Sequence, residues 1–155
     1  MTTSMAIKEL LMIPGPTMVP MDVLLAQAGQ MINHRGPRFL DIQKKIMGDG
    51  KRLFQTSEGE VYILTCSGSG GMEASLVNFT SPGDQVLVLS VGSFGQRYLG
   101  MAKTYGLNVD VVTVEAGKAI DPADVAAKLK SYAPGSLKAV FFQHNETSTG
   151  ILNPV

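Results

Sequence analysis

Short, unbroken apolar runs alternate along this chain with longer stretches whose apolar positions recur at helical spacing. Four runs stand out: Val61 to Thr65, Val86 to Leu89, Val109 to Val114 and Leu137 to Phe142. Each suits a strand buried on both faces and is too short for a helix. Between the runs the spacing predicts helices from the Ser67–Gly71 segment to about Phe79, from the Gly92–Gly95 segment to Tyr105, and from Asp121 to about Tyr132. Asp121 is suited to cap the last of these, with Pro122 in its first turn. Two earlier helical stretches cover Met21 to Met31 and about Phe39 to Phe54, the second with Phe39, Ile42, Ile46, Leu53 and Phe54 as a buried stripe. Strands alternating with helices predict an α/β fold, built from βαβ units around a parallel sheet. Pro14-Gly15-Pro16 and Pro20 exclude regular structure at the start, so residues 1–20 form an extended segment and 21–155 belong to one domain. Thr147 to Val155 reads as a polar loop. The chain then stops where the next crossover helix is due, and a truncated domain is expected.

Composition narrows the partners. With 155 residues, 17% charged and 45% hydrophobic, the chain suits a single folded domain. Its 13 basic and 13 acidic residues cancel, leaving no electrostatic footprint for nucleic acid or an anionic membrane. No apolar run approaches the roughly 20 residues of a transmembrane helix. Cys66 has no disulfide partner, and with only His34 and His144 beside it no metal site is expected. Met1 to Leu11 does not read as a secretory or transit peptide. A free thiol and no leader favour a reducing, cytoplasmic location.

Ligands of open parallel sheets bind beyond the carboxyl ends of the strands. Three loops there are rich in small or hydroxyl residues: Ser67–Gly71, Gly92–Gly95 and Glu146–Gly150. The first suits a phosphate, because glycines admit the anion and a helix N-terminus offers free N–H groups; the alternative is a tight turn that binds nothing. A dinucleotide fingerprint is broken by Glu73 at its third glycine position, no lysine follows for a P-loop, and Ser69 lacks the flanking glycine of a hydrolase elbow. Phe94, between glycines, suits stacking on a flat heteroaromatic ring, or anchors the next helix in the core. Thr147, Ser148 and Thr149 offer hydroxyls to a ligand edge, or form an ordinary capped turn.

Taken together, "IPGPTMVP" (13–20), "NHRGPRF" (33–39), "CSGSGGMEASLVNFTSPGD" (66–84), "VGSFGQR" (91–97) and "HNETSTGILNPV" (144–155) resemble the class V aminotransferases. The resemblance is to their alanine–glyoxylate and serine–pyruvate group, and it runs in family order over essentially the whole chain. It implies the pyridoxal 5'-phosphate (PLP) transferase fold type I: a three-layer αβα large domain with a mostly parallel sheet, of which 21–155 is the N-terminal part. It implies PLP as cofactor, with Ser67, Gly68 and Ser69 as phosphate cup, Phe94 stacked on the pyridine ring and Thr147 near the phenolic oxygen. Ser69 stands where the family often has Thr. Gly15, His34 and Arg35 match the substrate pocket, while Arg38 departs from the Glu of many relatives. Glu73 and Arg97 match family positions and are assigned structural roles. The resemblance further implies a homodimer acting on a small amino acid and a small 2-oxo acid. The Schiff-base lysine, the carboxylate that protonates the ring nitrogen and the substrate-gripping arginine are expected beyond Val155. None of the lysines present lies in a matching context, so these residues are expected to be inactive alone. The alternatives are a remnant that binds PLP weakly, and another class V enzyme such as an aminophosphonate transaminase or a cysteine desulfurase.

Overall fold

The computed structural model describes residues 10–154, so most of the stretch read for a targeting signal lies outside them. The chain divides between Thr65 and Cys66 into two compact units.

In the first unit, residues 10–20 carry neither helix nor strand. Two helices follow, α1 (Met21–Gln27) and α2 (Pro37–Leu53). Pro37 occupies the first turn of α2, where its missing N–H costs nothing. Val61 to Thr65 is not the strand its composition predicts. No strand pairs with it among the described residues, and Tyr62, Ile63 and Leu64 are exposed. It runs irregularly past α2, close enough that a Cβ on Gly50 would lie 2.8 Å from Val61 Cγ1.

The second unit holds α3 (Gly68–Val77), β1 (Gln85–Ser90), α4 (Ser93–Thr104), β2 (Asn108–Thr113), α5 (Pro122–Leu129), β3 (Ala139–Phe141), β4 (Asn145–Glu146) and β5 (Ile151–Leu152). The first three strands form a parallel sheet in the order β2-β1-β3, with Val86 opposite Val109 and Ala139. Val86 to Ser90 of the central strand are buried. Successive side chains of β1 take opposite faces. Val86 and Val88 join Leu76 of α3, Tyr98 and Ala102 of α4, Leu107 and Phe141. Leu87 and Leu89 join Val91 and Ile120, with Val125 of α5 packed against them. The result is the expected αβα layering.

Asp121 caps α5 as expected, its carboxylate accepting from the Ala123 amide at 2.8 Å. That helix stops at Leu129, and α1 at Gln27, each a few residues short of its apolar pattern. β4 pairs antiparallel with β5, which falls within the Thr147–Val155 stretch expected to be loop. Among the described residues no helix is long and apolar enough to cross a membrane, and no three metal-ligating side chains cluster.

Candidate functional site

The turn into α3 leaves donors free. Ser67 stands at the cap position in extended conformation, yet its hydroxyl makes no capping bond. Its carbonyl accepts from the Gly70 amide at 2.9 Å. Among the described residues the Gly68 and Ser69 amides and the Ser67 hydroxyl have no partner. A Cβ on Gly68 or Gly71 would meet nothing within 4 Å, so the turn opens outward; one on Gly70 would lie 2.6 Å from Cys66 Sγ. Free amides at the positive end of a helix dipole form a ready anion site.

The turn into α4 is built differently. Gly95 passes so close to β1 that a Cβ would lie 2.6 Å from Ser90 Cα. The N–H groups of Phe94 and Gly95 donate to Glu146 Oε2, each at 3.1 Å. Phe94 is half-buried, and the Arg97 guanidinium lies 5.0 Å from its ring centroid. Arg97 Nη1 also donates to Ser69 Oγ at 2.5 Å, tying the first turn of α3 to α4.

In the hairpin that follows β3, the three hydroxyls have separate fates. Ser148 Oγ donates to Glu146 Oε1 at 2.6 Å and accepts from the Ser93 amide at 3.0 Å. Thr149 Oγ1 donates to the Glu146 carbonyl at 3.5 Å. Thr147 is exposed, and among the described residues its hydroxyl has no partner. Glu146 itself is fully buried. Burial pushes its carboxyl up, but the bonds from Ser148 and from the Gly95 and Phe94 amides outweigh this and hold it below the usual glutamate range.

Of the expected cofactor contacts, Ser69, Phe94 and the loop carrying Thr147 are therefore linked by one path of contacts through Arg97 and Glu146. Ser67 and Gly68 adjoin it at the free end of α3. Gly15, His34 and Arg35 belong to the other unit and are exposed. His34 lines a cavity there of about 480 Å³ with Arg38, Phe39 and Ile42. Glu73 accepts from the Tyr105 hydroxyl, a structural contact. Glu146 escapes the sequence reading as a site residue in its own right. Its one visible signal is a lone acid at the head of the hydroxyl-rich loop.

No protein-family model matches the chain. Over 94% of its length it is 44% identical to a protein of Anabaena cylindrica named as the 42 kDa subunit of a soluble hydrogenase. Over 97% it is 39% identical to an uncharacterized aminotransferase of Methanocaldococcus jannaschii. The chain spans 38% of the length of each. It matches the crystal structure of ureidoglycine–glyoxylate aminotransferase from Bacillus subtilis with a TM-score of 0.84 at 32% identity, covering 92% of this chain and 36% of that one. The chain belongs to the class V aminotransferases. That family is PLP-dependent. The hydrogenase name stands with the Anabaena protein.

The donor set fits PLP. A phosphate dianion calls for N–H and O–H donors, and the unpaired amides of Gly68 and Ser69 supply them beside the Ser67 hydroxyl. A flat ring calls for an aromatic face, which Phe94 has, and Thr147 keeps its hydroxyl free for a polar edge. Glu73, the nearest acid in the α3 sequence, is turned to Tyr105.

Proposed function

We propose that this chain carries the cofactor cup of a PLP-dependent transaminase that moves an amino group from a small amino acid to a small 2-oxo acid such as glyoxylate. The observation that carries the reading is the path Ser69–Arg97–Phe94–Glu146, which joins the three loops of the family pattern. Ser67, Gly68 and Ser69 grip the phosphate, Phe94 holds the ring flat, and Thr147 hydrogen-bonds its polar edge. When bound, PLP supplies the electron sink that amino-group transfer requires. The chain's own task is binding and orientation. Gly15, His34 and Arg35 contribute to the substrate pocket of a homodimer. No lysine here matches the family's reacting lysine, so the 155 residues by themselves hold PLP without covalent attachment and without turnover.

Titration with PLP and with pyridoxal, which lacks the phosphate, tests the cup. PLP binds more tightly, and Ser67→Ala with Ser69→Ala weakens PLP about tenfold, as for the loss of charged hydrogen bonds, while leaving pyridoxal unchanged. Equal affinities for the two ligands overturn the assignment. Borohydride reduction followed by mass spectrometry checks the second point, where a single stoichiometric lysine adduct contradicts it.

A further inference from the structure

We propose that Glu146 is a positioning residue whose buried carboxylate sets the Phe94 ring and the Thr147 hydroxyl in register for one ligand. The inference rests on the cofactor reading above.

A helix N-terminus is ordinarily capped by a side chain next to it in sequence. α4 has no side-chain cap of that kind. Its first amides are met instead by an acid from 52 positions further along, Oε2 accepting from Phe94 and Gly95 at 3.1 Å each. The other oxygen accepts from the Ser148 hydroxyl at 2.6 Å and from its amide at 3.2 Å. One carboxylate thus fastens Ser148, the residue after Thr147, to the residue that carries the stacking ring. The packing around it leaves no slack. A Cβ on Gly92 would lie 2.6 Å from Glu146 Cγ and 2.7 Å from Ser148 Oγ.

The arrangement also separates two similar helix ends. Both α3 and α4 begin at the carboxyl side of the sheet and present N–H groups. At α4 those groups are spent on a carboxylate, which repels a second anion. At α3 they are free. Glu146 therefore directs a phosphate to the Ser67–Ser69 turn and keeps it away from the Phe94 turn, which fixes the direction in which a phosphorylated ring lies across the site.

The test uses the full chain, Glu146→Gln, Phe94→Ala and the double variant. Gln keeps the volume but turns an NH2 group toward N–H donors. Two readouts are taken: amide hydrogen exchange without ligand, and dissociation constants for PLP. The expected result is exchange at least about tenfold faster at Phe94, Gly95 and Ser148, with the β1 amides still protected. PLP binding weakens about tenfold in Glu146→Gln and by much less when Phe94 is already alanine, because coupled residues are not additive. If local protection is lost and PLP affinity holds, or if the two variants are additive, Glu146 only caps a helix and the proposal falls. Unchanged protection overturns it as well. A wild-type chain that binds no PLP removes the cofactor reading itself, an outcome distinct from these. Should β1 protection collapse in Glu146→Gln, Ser148→Ala serves in its place. It deletes one bond to the carboxylate and is expected to weaken PLP about threefold; no change there in exchange or affinity also overturns the proposal.

Discussion

Arg97 and Ser69 are joined across two helices, Nη1 donating to the hydroxyl at 2.5 Å while the same guanidinium lies 5.0 Å from the Phe94 ring centroid. One side chain thereby holds the Ser69 hydroxyl, which the proposed function assigns to the phosphate cup, and lies over one face of the Phe94 ring. Arg97→Ala is expected to weaken PLP about three- to tenfold, the scale of a cation–π contact plus one hydrogen bond. Arg97→Lys recovers part of this at most, because an ammonium lacks the planar fork. Arg97 is exposed, so thermal stability changes little. Fluorescence titration of PLP alongside a melting curve separates the two effects, and unchanged affinity returns Arg97 to a purely structural role.

Two glycines around α4 should respond oppositely to alanine. At Gly92 a methyl group meets Glu146 Cγ at 2.6 Å and Cδ at 2.7 Å, and that side chain is buried and hydrogen-bonded. Gly92→Ala is expected to destabilise by about 1–3 kcal/mol, the usual cost of overpacking. Gly100 lies inside α4 with nothing within 4 Å of the added atom. Gly100→Ala is expected to stabilise by about 0.5–1 kcal/mol through helix propensity. Urea midpoints of both variants check the signs together; a neutral Gly92→Ala means the hairpin around Glu146 yields more easily than its packing implies.

How much of this is visible in the sequence depends on where each residue's partners lie. Val86 to Leu89 reads as a buried strand because every side chain is apolar, and it is one, with Val109 and Ala139 beside Val86. Val61 to Thr65 is also a mostly apolar run but has no neighbouring strand among the described residues. A run of apolar residues shows that burial is available and says nothing about who provides the ladder. The α3 turn is legible since its glycines and serines act through their own backbone. Glu146 is not, because its partners Phe94 and Gly95 stand 52 and 51 positions away. The β4–β5 hairpin escapes for another reason: strands of two residues carry no periodicity.

Asn153 closes the base of that hairpin. Its buried side chain accepts from the Ile120 amide at 3.0 Å and donates to the Gln143 carbonyl at 2.8 Å. Asn153→Leu keeps the bulk and strands both backbone groups. A buried group left without its partner costs about 1–3 kcal/mol. The denaturant midpoint should fall accordingly, with the loss spread over the whole unit because Ile120 belongs to the core that holds Leu87 and Leu89. A midpoint unchanged from wild type shows that another group takes over both bonds.

Acid should unlock the same hairpin through Glu146. Its carboxyl sits below the ordinary value of 4.5: burial opposes ionisation, and the Ser148, Gly95 and Phe94 donors more than offset it. With a depressed folded pKa, the unfolded chain binds the proton more readily over the interval between the two values. Stability therefore rises with pH across that interval. The contribution is fully present above 4.5 and is lost as pH falls through the folded value. Asp110 adds a slope of the same sign below 3.8, held down by the Tyr132 hydroxyl and then by Lys128. Its pair with Lys128 is substantially exposed, so salt weakens that part while sparing the buried one. Urea midpoints followed from neutral pH to about pH 3 should decline for the wild type in low and high salt alike. In Glu146→Gln, which has no proton to gain at this position, the decline should be shallower and more sensitive to salt. Profiles of identical slope mean that the Glu146 proton is not linked to folding, and that its four donors hold the neutral acid as well as the anion.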